Sequence, residues 1–205
     1  MFRKIICGGI LLSLTVPGLF GATLITNEVD FSSGWTNLNN SGWFSASVGG
    51  LTPVEGTGLW TVTGYNSQNR GAWKLFDTVF TEETLKVSYS FGDRDDKLFP
   101  ASITVALFAD TDGNNIYAWT ERISTVAGTS HPVPDAGWAV WEDTYEISSS
   151  TVTANGDPVI GKKIGFVFVT SGLLDSTYGL SFDSLKIESA AVPKVVRLVV
   201  FSGNQ

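Results

Sequence analysis

Three chemically versatile residues are nearly absent from this chain: cysteine, histidine and methionine occur once each, as Cys7, His131 and Met1. With Cys7 inside a leader-like N-terminal stretch, the remainder can form no disulfide and offers no thiol nucleophile. A single histidine excludes a multi-histidine metal centre. Positive charge is short as well: 13 Lys and Arg face 20 Asp and Glu, for a formal charge of −7. Nucleic acid and anionic membranes both demand clustered Lys and Arg, so neither is an expected partner. No apolar run reaches the roughly 20 residues that a comfortable membrane-spanning helix takes. No window of about 12 residues carries helical periodicity, and no motif specifies a reaction.

The most telling segment present is residues 2–22, FRKIICGGILLSLTVPGLFGA. Arg3 and Lys4 form a short basic region, residues 5–16 an apolar one, and Pro17, Gly18, Gly21 and Ala22 close it. This is the layout of a secretory signal peptide, which places the rest of the chain outside the cytoplasm, secreted or at the cell surface. Cleavage after Ala22 leaves bulky Phe20 at the minus-three position; cleavage after Gly18 puts Val16 there and fits the small-residue rule better. Cys7 stands too close to Lys4 for a lipoprotein signal, which needs an apolar stretch before its cysteine. An uncleaved anchor is disfavoured by the shortness of the apolar run. Losing Arg3 and Lys4 deepens the formal charge from −7 to −9.

The remaining residues, about 180, suit a single domain. Hydrophobic content of 43% and aromatic content of 12% supply its core. The pattern is all-β: Gly, Ser, Thr, Asn and Asp punctuate short runs of Val, Ile, Phe, Tyr and Trp. Strands are expected at residues 43–48, 59–63, 72–80, 85–91, 103–109, 116–120, 138–147, 163–170 and 178–187. The clearest hairpin joins the runs 103–109 and 116–120 through Asp110-Thr111-Asp112-Gly113-Asn114-Asn115, six turn-forming residues. A spacing of about ten residues between strands predicts a β-sandwich or jelly roll. The organisation is then a signal peptide at 1–22, a β-sandwich domain at 23–191 and a tail at 192–205. The tail, too short to cross a bilayer, is an extra strand or a frayed end.

Thr23-Leu24-Ile25-Thr26-Asn27-Glu28-Val29-Asp30-Phe31, with Gly34-Trp35 and Gly42-Trp43 after it, resembles the opening of secreted bacterial jelly rolls with the galactose-binding-like fold. Carbohydrate-binding modules are their best-known members. The run Leu180-Ser181-Phe182-Asp183-Ser184-Leu185-Lys186-Ile187 is similar to their closing strand. Ala190-Ala191-Val192-Pro193 resembles the start of the PEP-CTERM surface-sorting tail, but Lys194 follows where that tail continues Glu-Pro. The resemblance implies a Ca²⁺ site tying first strand to last, through Asn27, Glu28 or Asp30 and Asp183. The loop 110–115 is a second oxygen-rich spot, but it lacks the EF-hand spacing and reads as a turn.

A sugar site needs exposed aromatics beside polar groups. Trp60, Tyr65, Arg70 and Trp73 supply both, with a loop expected between two strands, and are the candidate ligand-binding residues. Trp138, Trp141, Glu142 and Asp143 have similar content. Trp119 reads as core. Asp93, Asp95 and Asp96 crowd a loop expected after Phe91 and could supply the paired carboxylates of glycoside hydrolysis, though a charge run is usually a solvated turn. Glu82-Glu83 reads as another turn. His131, in Ser130-His131-Pro132-Val133-Pro134 and expected in a rigid loop, has no Ser or Asp partner suggested by spacing. The expected function is therefore a non-catalytic exported domain that binds polysaccharide or cell-surface glycan. A purely structural surface or matrix protein is the rival, and a polysaccharide-degrading enzyme ranks last.

Overall fold

A computed structural model describes residues 22–28, 34–38, 59–62, 70–93, 102–123, 129–132, 138–171 and 179–191. The described part contains ten strands and no α-helix. They are β1 (Thr23–Glu28), β2 (Thr36–Asn37), β3 (Leu59–Val62), β4 (Arg70–Val79), β5 (Glu83–Asp93), β6 (Ser102–Asp110), β7 (Thr129–Pro132), β8 (Trp138–Ile147), β9 (Lys163–Ser171) and β10 (Gly179–Ala191).

Two antiparallel sheets result. The first runs β1-β10-β5-β8, with β3 also on β10; the second runs β2-β4-β9-β6-β7. β1 and β3 share one edge of β10 end to end, Thr23 opposite Ser189 and Glu28 opposite Leu185, then Leu59 opposite Phe182 and Val62 opposite Gly179. Asp183 falls between those two stretches, where the β10–β5 register shifts.

The period-two alternation of each strand decides its buried face. Leu85, Val87, Tyr89 and Phe91 of β5 meet Ile103, Val105 and Leu107 of β6 and Phe166 and Phe168 of β9 in one core. Trp35 packs at its margin, 6.2 Å from Phe166 and 6.3 Å from Phe182 between ring centroids. The outer face of the first sheet is polar, as expected for a solvated face. Lys86 pairs with Glu142 at 2.7 Å, Lys186 with Glu188 at 2.8 Å, and Thr84 donates to Glu146 at 2.9 Å.

Two sequence expectations need correction here. Residues 116–120 do not form a strand: beyond the turn, β6 pairs through Phe108 with Arg122, and through residues 102–105 with β7. The loop's own side chains occupy the amides a strand would have used. Asn114 Oδ1 accepts from Ile116 N at 2.6 Å, and Glu121 Oε2 accepts from Ala118 N at 3.1 Å. Gly113 and Asn115 adopt φ of 74° and 58°, the left-handed values that turn the chain. Asp93 is likewise the last residue of β5, opposite Leu180, rather than part of a loop. Of the other expectations, Glu82 lies in a bend while Glu83 opens β5. The strand expected at 43–48, the leader, the tail, Asp95 and Asp96 lie outside the described residues.

Candidate functional site: an aromatic face on the second sheet

The outer face of a sandwich sheet is normally wet. On the second sheet it is not. Trp73 and Leu75 of β4, Val167 and Val169 of β9, and Ala106 and Phe108 of β6 form a second apolar cluster, with Tyr117 and Leu38 against it. Gly165, opposite Phe108 and Leu75 in the sheet, makes this possible. A Cβ there would run into the Phe108 ring, so the missing side chain gives the ring its berth.

A row of rings follows. Tyr117 stands edge-on to Phe108 at 4.9 Å, and Trp73 edge-on to Phe108 at 6.0 Å. Trp119 stands 5.9 Å from Tyr117. Such edge-to-face pairs each contribute about 0.5–1.5 kcal/mol beyond their area burial. Trp73 is half-buried, whereas Trp119 is 45% exposed and Ile116 59%. The reading of Trp119 as core is thus corrected. It sits in a short 3₁₀ turn, Trp119–Glu121, that lifts its ring off the sheet. The Arg122 guanidinium lies over that ring at 4.2 Å, and its Nε donates to the Trp119 carbonyl at 3.2 Å. The Tyr117 hydroxyl is buried without a hydrogen-bond partner. Burial pushes its pKa up, Arg122 pulls it down and Glu121 raises it further.

The loop behind this face is held by carboxylates. Glu121 accepts from Thr111 N at 2.9 Å and Ala118 N at 3.1 Å; Asp112 accepts from Asn114 N at 3.0 Å; Asp110 accepts from Asn115 N at 3.3 Å. Lys162 Nζ donates to the Thr111 carbonyl at 3.0 Å. Oxygens of Asp110, Asp112 and Glu121 lie within 4.8 Å of one another, a hard-cation donor set by chemistry, though each is already engaged by these amides.

Of the residues expected to bind ligand, Trp73 lies on the aromatic face. Arg70 opens β4 in the same sheet, and Trp60 lies in β3 of the other. Tyr65 and the side chains of Trp60 and Arg70 lie outside the described residues. Of the expected calcium ligands, Asn27 is exposed in β1, opposite Lys186, and Glu28 follows opposite Leu185. Asp30 and the side chains of Glu28 and Asp183 lie outside the description. Sequence reasoning missed Tyr117, Trp119 and Arg122 because it placed them in or beside a strand that does not form.

The stretch Trp138, Trp141, Glu142 and Asp143 is not one surface. Alternation along β8 sends Glu142 outward and buries Asp143. His131, expected to lack a partner, has one: its Nε2 stands 3.5 Å from Asp143 Oδ2, and its ring stacks on Trp141 at 4.0 Å. Tyr89 donates its hydroxyl to the same Asp143 oxygen at 2.8 Å. Burial first, and this hydrogen bond next, push the Tyr89 pKa up. With His131 8% exposed and Asp143 9%, the group is a closed polar seam joining β7 of one sheet to β8 of the other.

No protein-family model matches the chain, nor does any curated protein sequence. Solved structures do. The xylan-binding CBM22-1 domain of Paenibacillus barcinonensis Xyn10C is similar at 14% identity and a TM-score of 0.54, over 83% of this chain and 97% of that one. The CBM22-1–GH10 modules of Clostridium thermocellum xylanase 10B, solved with xylohexaose, match at 17% identity and 0.54, over 88% of this chain and 30% of that longer one. A cyclase from Fischerella sp. TAU matches at 13% identity and 0.53, over 85% and 100%. At these identities the likeness defines the fold, a jelly-roll β-sandwich of galactose-binding-like type. Binding modules and an enzyme share it, so function has to come from the site.

Proposed function

We propose that this chain is a non-catalytic carbohydrate-binding domain whose contact surface is the outer aromatic face of the second sheet. The observation that carries the reading is Trp119, 45% exposed, in a ring row with Tyr117 and half-buried Trp73 on a face that alternation would ordinarily make polar. Sugars present apolar C–H faces to such rings while nearby polar groups bond their hydroxyls. One structural neighbour is a xylan-binding domain and another was solved with xylohexaose, which agrees with this reading. Export by the leader, display at the cell surface or in a matrix, and a structural Ca²⁺ at the β1–β10 junction belong to the same proposal.

The test is retention of the full chain on soluble plant and bacterial polysaccharides by affinity electrophoresis, backed by calorimetry. Trp119→Ala should weaken the binding by about tenfold or more with little change in stability, and Trp73→Ala should weaken it too. Absence of binding to every polymer tried would favour a purely structural role.

A further inference from the structure

We infer that the Trp119–Arg122 pair is a subsite for a carboxylate-bearing sugar, a uronic acid residue carried by the polysaccharide. The inference rests on the proposed carbohydrate function and names the substrate class at the same site.

Lys86, Lys163 and Lys186 each have a carboxylate oxygen at 2.7, 3.4 and 2.8 Å. Arg122 has no ion pair among the described residues. Its chain neighbour Glu121 is turned inward, 5% exposed, and its two oxygens accept from Thr111 N and Ala118 N. Lys162 likewise has no carboxylate among the described residues but donates to the Thr111 carbonyl at 3.0 Å; the Arg122 guanidinium, beside the aromatic face of a chain of formal charge −7, keeps its terminal N–H groups for an anion.

Geometry sets which anion. The guanidinium is held against Trp119 by stacking at 4.2 Å and by the single Nε bond to the Trp119 carbonyl. That leaves its terminal N–H groups, a planar fork that matches a carboxylate two bonds at a time. The same ring remains 45% exposed. The guanidinium covers one face of Trp119, so a sugar meets the part of the ring left exposed, and a carboxylate on that sugar would reach round to the terminal N–H groups. A neutral sugar could use the ring alone; a uronate uses both halves.

The experiment compares glucuronoxylan with the same polymer after chemical reduction of its carboxyl groups, using the full chain in affinity electrophoresis. The expected result is about tenfold weaker binding to the reduced polymer, the size of a charge-assisted hydrogen-bond contribution. Arg122→Gln should abolish that preference while retaining binding to the reduced polymer. Because the polymer rather than the protein is altered, the main comparison does not depend on any variant folding. Equal binding to both polymers overturns the uronate subsite and leaves the carbohydrate reading intact. Binding to neither polymer overturns the uronate subsite, and the carbohydrate reading falls with it only when every other polysaccharide also fails to bind.

Discussion

At the scale of single residues, the glycine that shapes the aromatic face is as consequential as the rings on it. Gly165→Ala forces the Phe108 ring from its place, and overpacking of this kind costs about 1–3 kcal/mol. Urea unfolding should register that loss, and retention on polysaccharide should fall with it because Tyr117 rests on Phe108. Tyr89→Phe removes the donor at 2.8 Å from the buried Asp143 carboxylate. A cost of about 1–3 kcal/mol is expected, with polysaccharide binding unchanged, since this seam lies between the sheets. The three buried phenols also set an alkaline limit. Tyr89, Tyr117 and Tyr145 all have pKa values raised by burial. A raised acid pKa contributes its stability fully below the unfolded value, near pH 10, and loses it as pH climbs beyond. Ultraviolet titration should therefore show these three staying protonated above pH 10 while the chain is folded. In urea all five tyrosines should titrate together near pH 10.

At the scale of elements, the long strands were legible, while short β2, β7 and the loop after β6 were not. The run at residues 138–147 reads as a strand from alternation alone and is one, and the run at 163–170 differs from β9 by a single residue. Burial faces follow from the same alternation. Residues 116–120 failed because Ile116 and Tyr117 look like strand residues, while the competing bonds come from side chains 2 to 3 positions away, at Asn114 and Glu121. Local composition does not announce which carboxylate will turn inward. Trp73 was singled out for the aromatic and polar residues around an expected loop, although it lies within β4; Trp119 and Arg122 were missed because they ride on the loop after β6. His131 found Asp143 only through the meeting of β7 and β8, which sequence separation conceals. The loop yields its own test. Glu121→Ala strips the acceptor from two backbone amides, so hydrogen exchange at Thr111 and Ala118 should quicken, and Trp119-dependent binding should drop. Glu121→Gln, which keeps one acceptor oxygen, should do less of each.

At the scale of the whole molecule, the sandwich has two unlike outer faces, an ion-paired one on the first sheet and an aromatic one on the second. Function is expected on the second, so charge substitutions such as Lys86→Ala, at an exposed pair worth little in stability, should leave binding untouched. The proposed Ca²⁺ is tested globally. A cation selective for the folded chain at a hundredfold excess over Kd stabilises it by about 2.7 kcal/mol, several degrees in Tm for a domain of this size. A rise with Ca²⁺, reversed by chelator and absent in Asp183→Ala, is the expected outcome of scanning calorimetry.

The pairing of Thr23 with Ser189 has a mechanical consequence. The two ends of the described sandwich leave it side by side, from one corner. A force applied through them would peel β1 from β10 rung by rung, like a zipper, instead of shearing all the rungs at once. The domain should therefore yield at low force, while its neighbouring ends would let it be spliced into a surface loop of another protein, or circularly permuted through a short linker, without disturbing the rest of the fold.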